Sequence, residues 1–127
     1  MDITPLIPSN RKIITGYGGG SFKISAENIE GSVIILQDTI IKWPIVTGDI
    51  TLESLLPIIE NLNNNSLDIE LLIIGCGETH QRLSAEIHNA FRAKHINVEI
   101  MTTGAACRTY NVLLGEERKI AAALIAV

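Results

Sequence analysis

Concentrated positive charge is missing from this chain of 127 residues. Its net charge is −4, and no run of basic residues exceeds the pairs Arg11-Lys12 and Arg118-Lys119. A nucleic-acid footprint needs a concentrated basic face, so no nucleic-acid partner is expected. Cysteine is scarce as well. Cys76 and Cys107 lie far apart, without a CxxC pair, and fit free thiols in a reducing compartment rather than a disulfide framework. Neither has a second ligand at finger-like spacing, so no metal site is expected. No uninterrupted apolar run reaches the roughly 18 residues of a membrane span. The first residues, MDITPLIPSNRK, lack the apolar core of a secretory signal and the Arg-rich pattern of a transit peptide. They read as an extended arm over residues 1–12, ahead of one domain over 13–127, and the expected location is the cytoplasm.

What is abundant is apolar residues, 46% of the chain, with a mean hydropathy of +0.29. The apolar runs Val33 to Leu36, Ile69 to Ile74 and Ile120 to Val127 have strand lengths. The surplus therefore reads as strands buried on both faces, or as a surface that meets a partner. The length suits one domain with one sizeable core.

Along the chain, Ile13 to Ile24 reads as extended, interrupted by a loop or bulge at the glycines of 16–20. Glu30-Gly31 is a turn signal. Ser32 to Gln37 and Thr39 to Ile45 read as strands about a turn near Asp38, with Pro44 ending the second. Thr51 is placed to cap a helix reaching Leu62, with Leu52, Leu55, Leu56, Ile59 and Leu62 on one stripe and Pro57 kinking or splitting it. The second half alternates: strand 69–74, helix 84–94, strand 96–101, helix 103–114, strand 118–126. Two consecutive βα units predict parallel pairing and right-handed crossovers. The expected architecture is α/β: a β-rich N-terminal half packed with a small βαβαβ half.

In such units ligands collect beyond the carboxyl ends of the parallel strands. Those ends are the Gly75-to-His80 loop and Thr102-Thr103-Gly104. Gly75-Cys76-Gly77 matches only the first part of a dinucleotide fingerprint, since the third glycine and the acidic residue are absent, and no cofactor is expected. The glycines also suit a tight turn. Gly75, Gly77, Thr103 and Arg108 are the candidate ligand-binding residues, because a helix N-terminus and a guanidinium together can hold a carboxylate or phosphate. The competing reading has Thr102 or Thr103 capping the helix and Arg108 paired with Glu116 or Glu117. Cys107 would need a base to act as a nucleophile, and among the histidines only His80 falls at the right sheet end. No catalytic residue is assigned. Glu78 with His80 is too few ligands for a metal. Trp43, at a strand end beside Pro44, is either core or part of a partner surface.

Several blocks together resemble a known family. These are Tyr17-Gly18-Gly19-Gly20-Ser21-Phe22-Lys23-Ile24, Gly31-Ser32-Val33, Trp43, Ile73-Ile74-Gly75-Cys76-Gly77, Met101 through Leu114, and Ala121-Ala122-Ala123-Leu124. In that order they resemble the DUF498 family of Mth938-like domains, over about residues 13 to 126. The Arg108-Thr109-Tyr110-Asn111 block with its alanines is the specific part. The family usually has Thr at the place of Cys76 and Gly at the place of Glu117. It includes assembly factor 3 of mitochondrial respiratory complex I. The resemblance implies a compact α/β fold with β layers and an interaction or assembly protein with no established enzymatic activity. Such a protein helps assemble a respiratory or membrane-peripheral complex, with complex I subunits or assembly factors as partners. The alternative is a binder of, or enzyme for, an anionic small molecule at the Gly75-to-His80 loop and the Thr103 helix start. A homodimer stays open. Within the motif, the small residues would let a helix pack closely on the sheet, while Arg108 and Asn111 lock that packing or face a pocket.

Overall fold

The structure is a computed structural model, and it describes residues 12–45 and 49–127. All but Lys12 of the expected N-terminal arm lies outside the described residues. The first strands are β1 (Ile14–Gly18), β2 (Ser21–Ile24) and β3 (Glu27–Glu30), an antiparallel three-stranded sheet in chain order. The glycine run proves to be a hairpin: Gly19 and Gly20 turn at positive φ, while Gly16 and Gly18 stay in β1. The register shifts between Ile14 and Gly16, a bulge in β1. β3 was not expected. Its sequence, ENIE, lies almost wholly exposed, and only Ile29 packs inward.

A five-stranded mixed sheet forms the centre, in the order β5-β4-β8-β6-β7. β4 (Val33–Leu36) and β5 (Thr39–Lys42) make the expected hairpin. β6 (Leu71–Gly75) and β7 (Asn97–Met101) pair in parallel, as do β6 and β8 (Ile120–Leu124). The N-terminal hairpin is fused to the βαβαβ half through antiparallel pairing of β4 with β8. β4, β6 and β8 are buried along their whole length, so the continuous apolar runs are strands covered on both faces.

The covering follows from the topology. β7 lies on one side of β6 and β8 on the other, so two right-handed crossovers must run over opposite faces. α2 (Ala85–Arg92) presses Ile87 and Phe91 onto one face, against Leu72, Ile74, Ala121 and Ala123. α1 (Leu56–Asn63) and the 3-10 turn before it add Leu55 and Ile58 there. The expected helix from Thr51 is thus split where Pro57 falls. Thr51 Oγ1 accepts from Ser54 N at 3.1 Å and Ser54 Oγ from Thr51 N at 3.2 Å, a reciprocal cap. α3 (Thr103–Gly115) and the three-stranded sheet cover the opposite face. There Ala106, Tyr110, Leu114, Phe22 and Ile24 meet Ile35, Ile73 and Ala122. The alanines of β8 lie in the middle of the sheet and let helices approach closely on both sides. Full burial of each larger core side chain contributes about 1.5–3 kcal/mol.

All three helices end alike. Asn65, His95 and Glu117 take positive φ. Around each, the next residue's N–H bonds back five residues, as in Arg118 N to Leu113 O at 3.1 Å and Ile96 N to Phe91 O at 3.0 Å. This is the Schellman ending, whose left-handed position favours glycine.

Candidate functional site

Two places bring the sequence-predicted residues together. The first is the joint between the end of β6 and the start of α3. A side chain on Gly75 would place its Cβ 3.0 Å from Thr103 Cα and 3.0 Å from Leu124 Cδ2, so the helix start packs directly on this glycine. Gly77 turns the loop at φ +102°. Thr103 is fully buried. Its hydroxyl accepts from Gly77 N at 3.0 Å and donates to Ile125 O at 2.7 Å, and its own N–H donates to Gly77 O at 2.9 Å. Cys76 N donates to Met101 O, and Gln81 Nε2 to Cys76 O. Gly75, Gly77 and Thr103 therefore spend polar groups on one another and on Ile125, just past the end of β8. The first N–H of α3, one of the groups an anion would use, is thus taken by Gly77 O. Neither Thr102 nor Thr103 caps α3 with its side chain; Thr103 ties three chain segments instead.

The second place is the outer face of α3. Arg108 is exposed and is not part of the joint. Its Nη1 donates to the Tyr17 hydroxyl at 3.4 Å, and among the described residues no carboxylate pairs with it. The expected pairing with Glu116 or Glu117 is replaced by this contact with β1. Gly104 explains the geometry: a Cβ there would lie 2.6 Å from the Tyr17 hydroxyl. One turn beyond Arg108 stands Val112, 60% exposed, and Tyr17 itself is 44% exposed. Tyr17 belongs to the glycine-rich block of the sequence but was not singled out as a site residue. A glycine inside the expected helix of 103–114 was the available signal that another group sits above it.

Asn111 locks the same helix to β1. Its Nδ2 donates to Ile14 O at 2.6 Å and its Oδ1 accepts from Ile14 N at 3.0 Å. Both backbone groups of Ile14 on that edge are thereby satisfied where the bulge begins.

The remaining candidates resolve into packing. Cys107 is buried, and that burial pushes its thiol up to about 11 although Arg108 pulls the other way. It is a thiol, not a thiolate, near neutrality. Trp43 is 2% exposed, and its Nε1 donates to Ser54 O at 2.8 Å. The partner-surface reading of Trp43 is corrected: the ring lies in the core beneath the start of α1. Among the described residues no group of three His, Cys, Asp or Glu side chains is arranged to hold a metal. His80 and His88 line a shallow cleft of ≈ 580 Å³ with Arg82, Ile100 and Gln81, the residue that donates to Cys76 O, and neither cysteine lines it.

Comparison with known proteins completes the description. The family described as "Protein of unknown function (DUF498/DUF598)" matches residues 14–125. NADH dehydrogenase [ubiquinone] 1 alpha subcomplex assembly factor 3 of Xenopus tropicalis is 34% identical over 113 residues, covering 88% of this chain and 60% of that protein. The chain thus spans about 60% of the length of such curated relatives. A crystal structure of a protein from Bartonella henselae, described as an outer membrane protein, superposes with a TM-score of 0.83 at 36% identity. It covers 92% of this chain and 96% of that one. A solution structure from Bordetella pertussis, described as a Mth938-like domain, gives a TM-score of 0.80 at 25% identity, covering 98% and 92%.

Proposed function

The chain belongs to the DUF498/DUF598 family, and from that premise we propose that it is a non-enzymatic interaction protein that aids assembly of a respiratory complex resembling complex I. The observation that carries this reading is the likeness to assembly factor 3, which runs through 88% of the chain. Its partners are then complex I subunits or other assembly factors, met at the cytoplasmic face of a bacterial membrane. No helix among the described residues is long and apolar enough to cross that membrane.

The chemistry of the molecule supports the reading. Enzymes hold groups with shifted acidities in a cleft, whereas here Thr103, Cys76 and Cys107 are buried in packing. The distinctive side chains left in solvent, Tyr17 and Arg108, are of the types that anchor protein interfaces.

A deletion strain supplies the test. Native gels of its membranes should show loss of assembled complex I and accumulation of subassemblies, restored by the plasmid-borne chain. Normal complex I in the deletion strain would sink the proposal.

A further inference from the structure

We propose that Tyr17, Arg108 and Val112 form a docking surface for a protein segment presenting a carboxylate side chain beside aliphatic ones. The proposal rests on the assembly reading and names the surface through which it works.

Gly104 is the first argument. Gly104 is the second residue of α3, where glycine costs less than the roughly 1 kcal/mol of a helix interior but offers no gain over alanine. The backbone at Gly104 does not call for glycine, since no positive φ occurs there. What its missing side chain provides is a seat for the Tyr17 hydroxyl, 2.6 Å from where a Cβ would stand. Yet Tyr17 remains 44% exposed, so little burial is gained in return. The glycine leaves room for an aromatic ring held at the surface against the start of α3.

Arg108 is the second. A guanidinium offers five N–H donors, and its contact among the described residues is the Tyr17 hydroxyl, a neutral acceptor. This is so in a chain with 14 acidic residues and a net charge of −4. Tyr17 fixes one side of the guanidinium and leaves the rest of the fork to solvent, which matches a carboxylate in bidentate geometry. Val112 follows at i+4 on the same stripe, 60% exposed, and supplies an apolar neighbour. A single cation on an acidic chain is a poor match for an anionic membrane or a nucleic acid, which require clusters.

The test places p-benzoylphenylalanine at position 112 of the full chain in cells and maps the photo-adducts by mass spectrometry. The expected adduct lies in a protein segment containing Asp or Glu beside Leu, Ile or Val. Arg108→Glu should reduce it at least tenfold while leaving the melting temperature unchanged within about 2 °C, as for an exposed residue. Exchanging the partner's acidic residue for Lys should restore it. Adducts to lipid, to a second copy or to another part of this chain would overturn the surface, as would an adduct indifferent to Arg108→Glu, or none at all. The deletion strain separates the two proposals. Normal complex I there, with the charge-swap rescue intact, removes the assembly reading and keeps the surface. Lost complex I fully restored by Arg108→Glu, with no adduct, does the reverse.

Discussion

Replacing Thr103 by Val distinguishes a packing joint from a ligand site. The two side chains have nearly the same shape, so the substitution removes the hydroxyl without opening a cavity. Two bonds disappear: Gly77 N to Oγ1 at 3.0 Å and Oγ1 to Ile125 O at 2.7 Å. Each is worth about 1 kcal/mol net, and each backbone group left unpaired at a buried site adds up to about 1–3 kcal/mol. Some relaxation lets water reach the loop, so a loss of about 3 kcal/mol is expected. For a domain of this length that lowers the melting temperature by about 10 °C. Thr103→Ser keeps both bonds and loses only a methyl, and should cost no more than about 1 kcal/mol. Urea unfolding with unchanged m-values is the assay. A valine variant as stable as the parent would refute the lock and return Thr103 to the list of groups available to a ligand.

Glu117→Gly should stabilise by about 0.5–1 kcal/mol, since Glu117 sits at φ +61° in the ending of α3 and glycine relieves that strain at some entropic cost. His95→Gly should gain similarly and Asn65→Gly less, because asparagine tolerates the left-handed region; denaturation midpoints check all three. Asn111→Ala should cost about 2 kcal/mol by stripping both Ile14 backbone groups of their partner. Hydrogen exchange should then speed up in β1 to β3 while the five-stranded sheet keeps its protection. Cys107 gives an alkaline signature. Its thiol titrates at about 11 when folded against an ordinary 9.0, so the unfolded state releases its proton first. Stability is whole below pH 9 and falls through the window from 9 to 11, by about 1.4 kcal/mol per unit. Cys107→Ala should remove that contribution, and an unaltered alkaline limb in the variant would contradict it.

The alternation of strands and helices after residue 68 was legible because each element carries its own period and its own stop. Ser84 accepts from Ile87 N at the start of α2, and Thr102-Thr103 does follow β7 directly. The split of the first helix was legible from Pro57 alone. β3 was not, for a four-residue strand with one inward side chain has no period to read, and its turn at Ser25-Ala26 takes positive φ without a glycine or asparagine. Nor does a sequence say which neighbours a strand takes. That β8 inserts between β4 and β6, fusing the two halves, depends on alanines thin enough for helices on both faces. Trp43 carried two readings because its burial is decided by where residue 54 lands, not by anything adjacent to it.

The Met101-to-Leu114 block reads as one motif but divides by face. Thr103, Ala106, Cys107, Tyr110 and Leu114 point inward, each with a packing or hydrogen-bonding reason for its size. Asn111 sits at the border and fastens β1. Gly104, Arg108 and Val112 form the outer stripe, where Gly104 makes room for the Tyr17 hydroxyl and Arg108 and Val112 face solvent. Arginine suits a surface helix, whereas alanine would be the better helix former in place of the β-branched Val112. That the chain places a glycine beneath Tyr17 and an arginine beside it fits the docking surface proposed above, in which Arg108 would act with a residue 91 positions away.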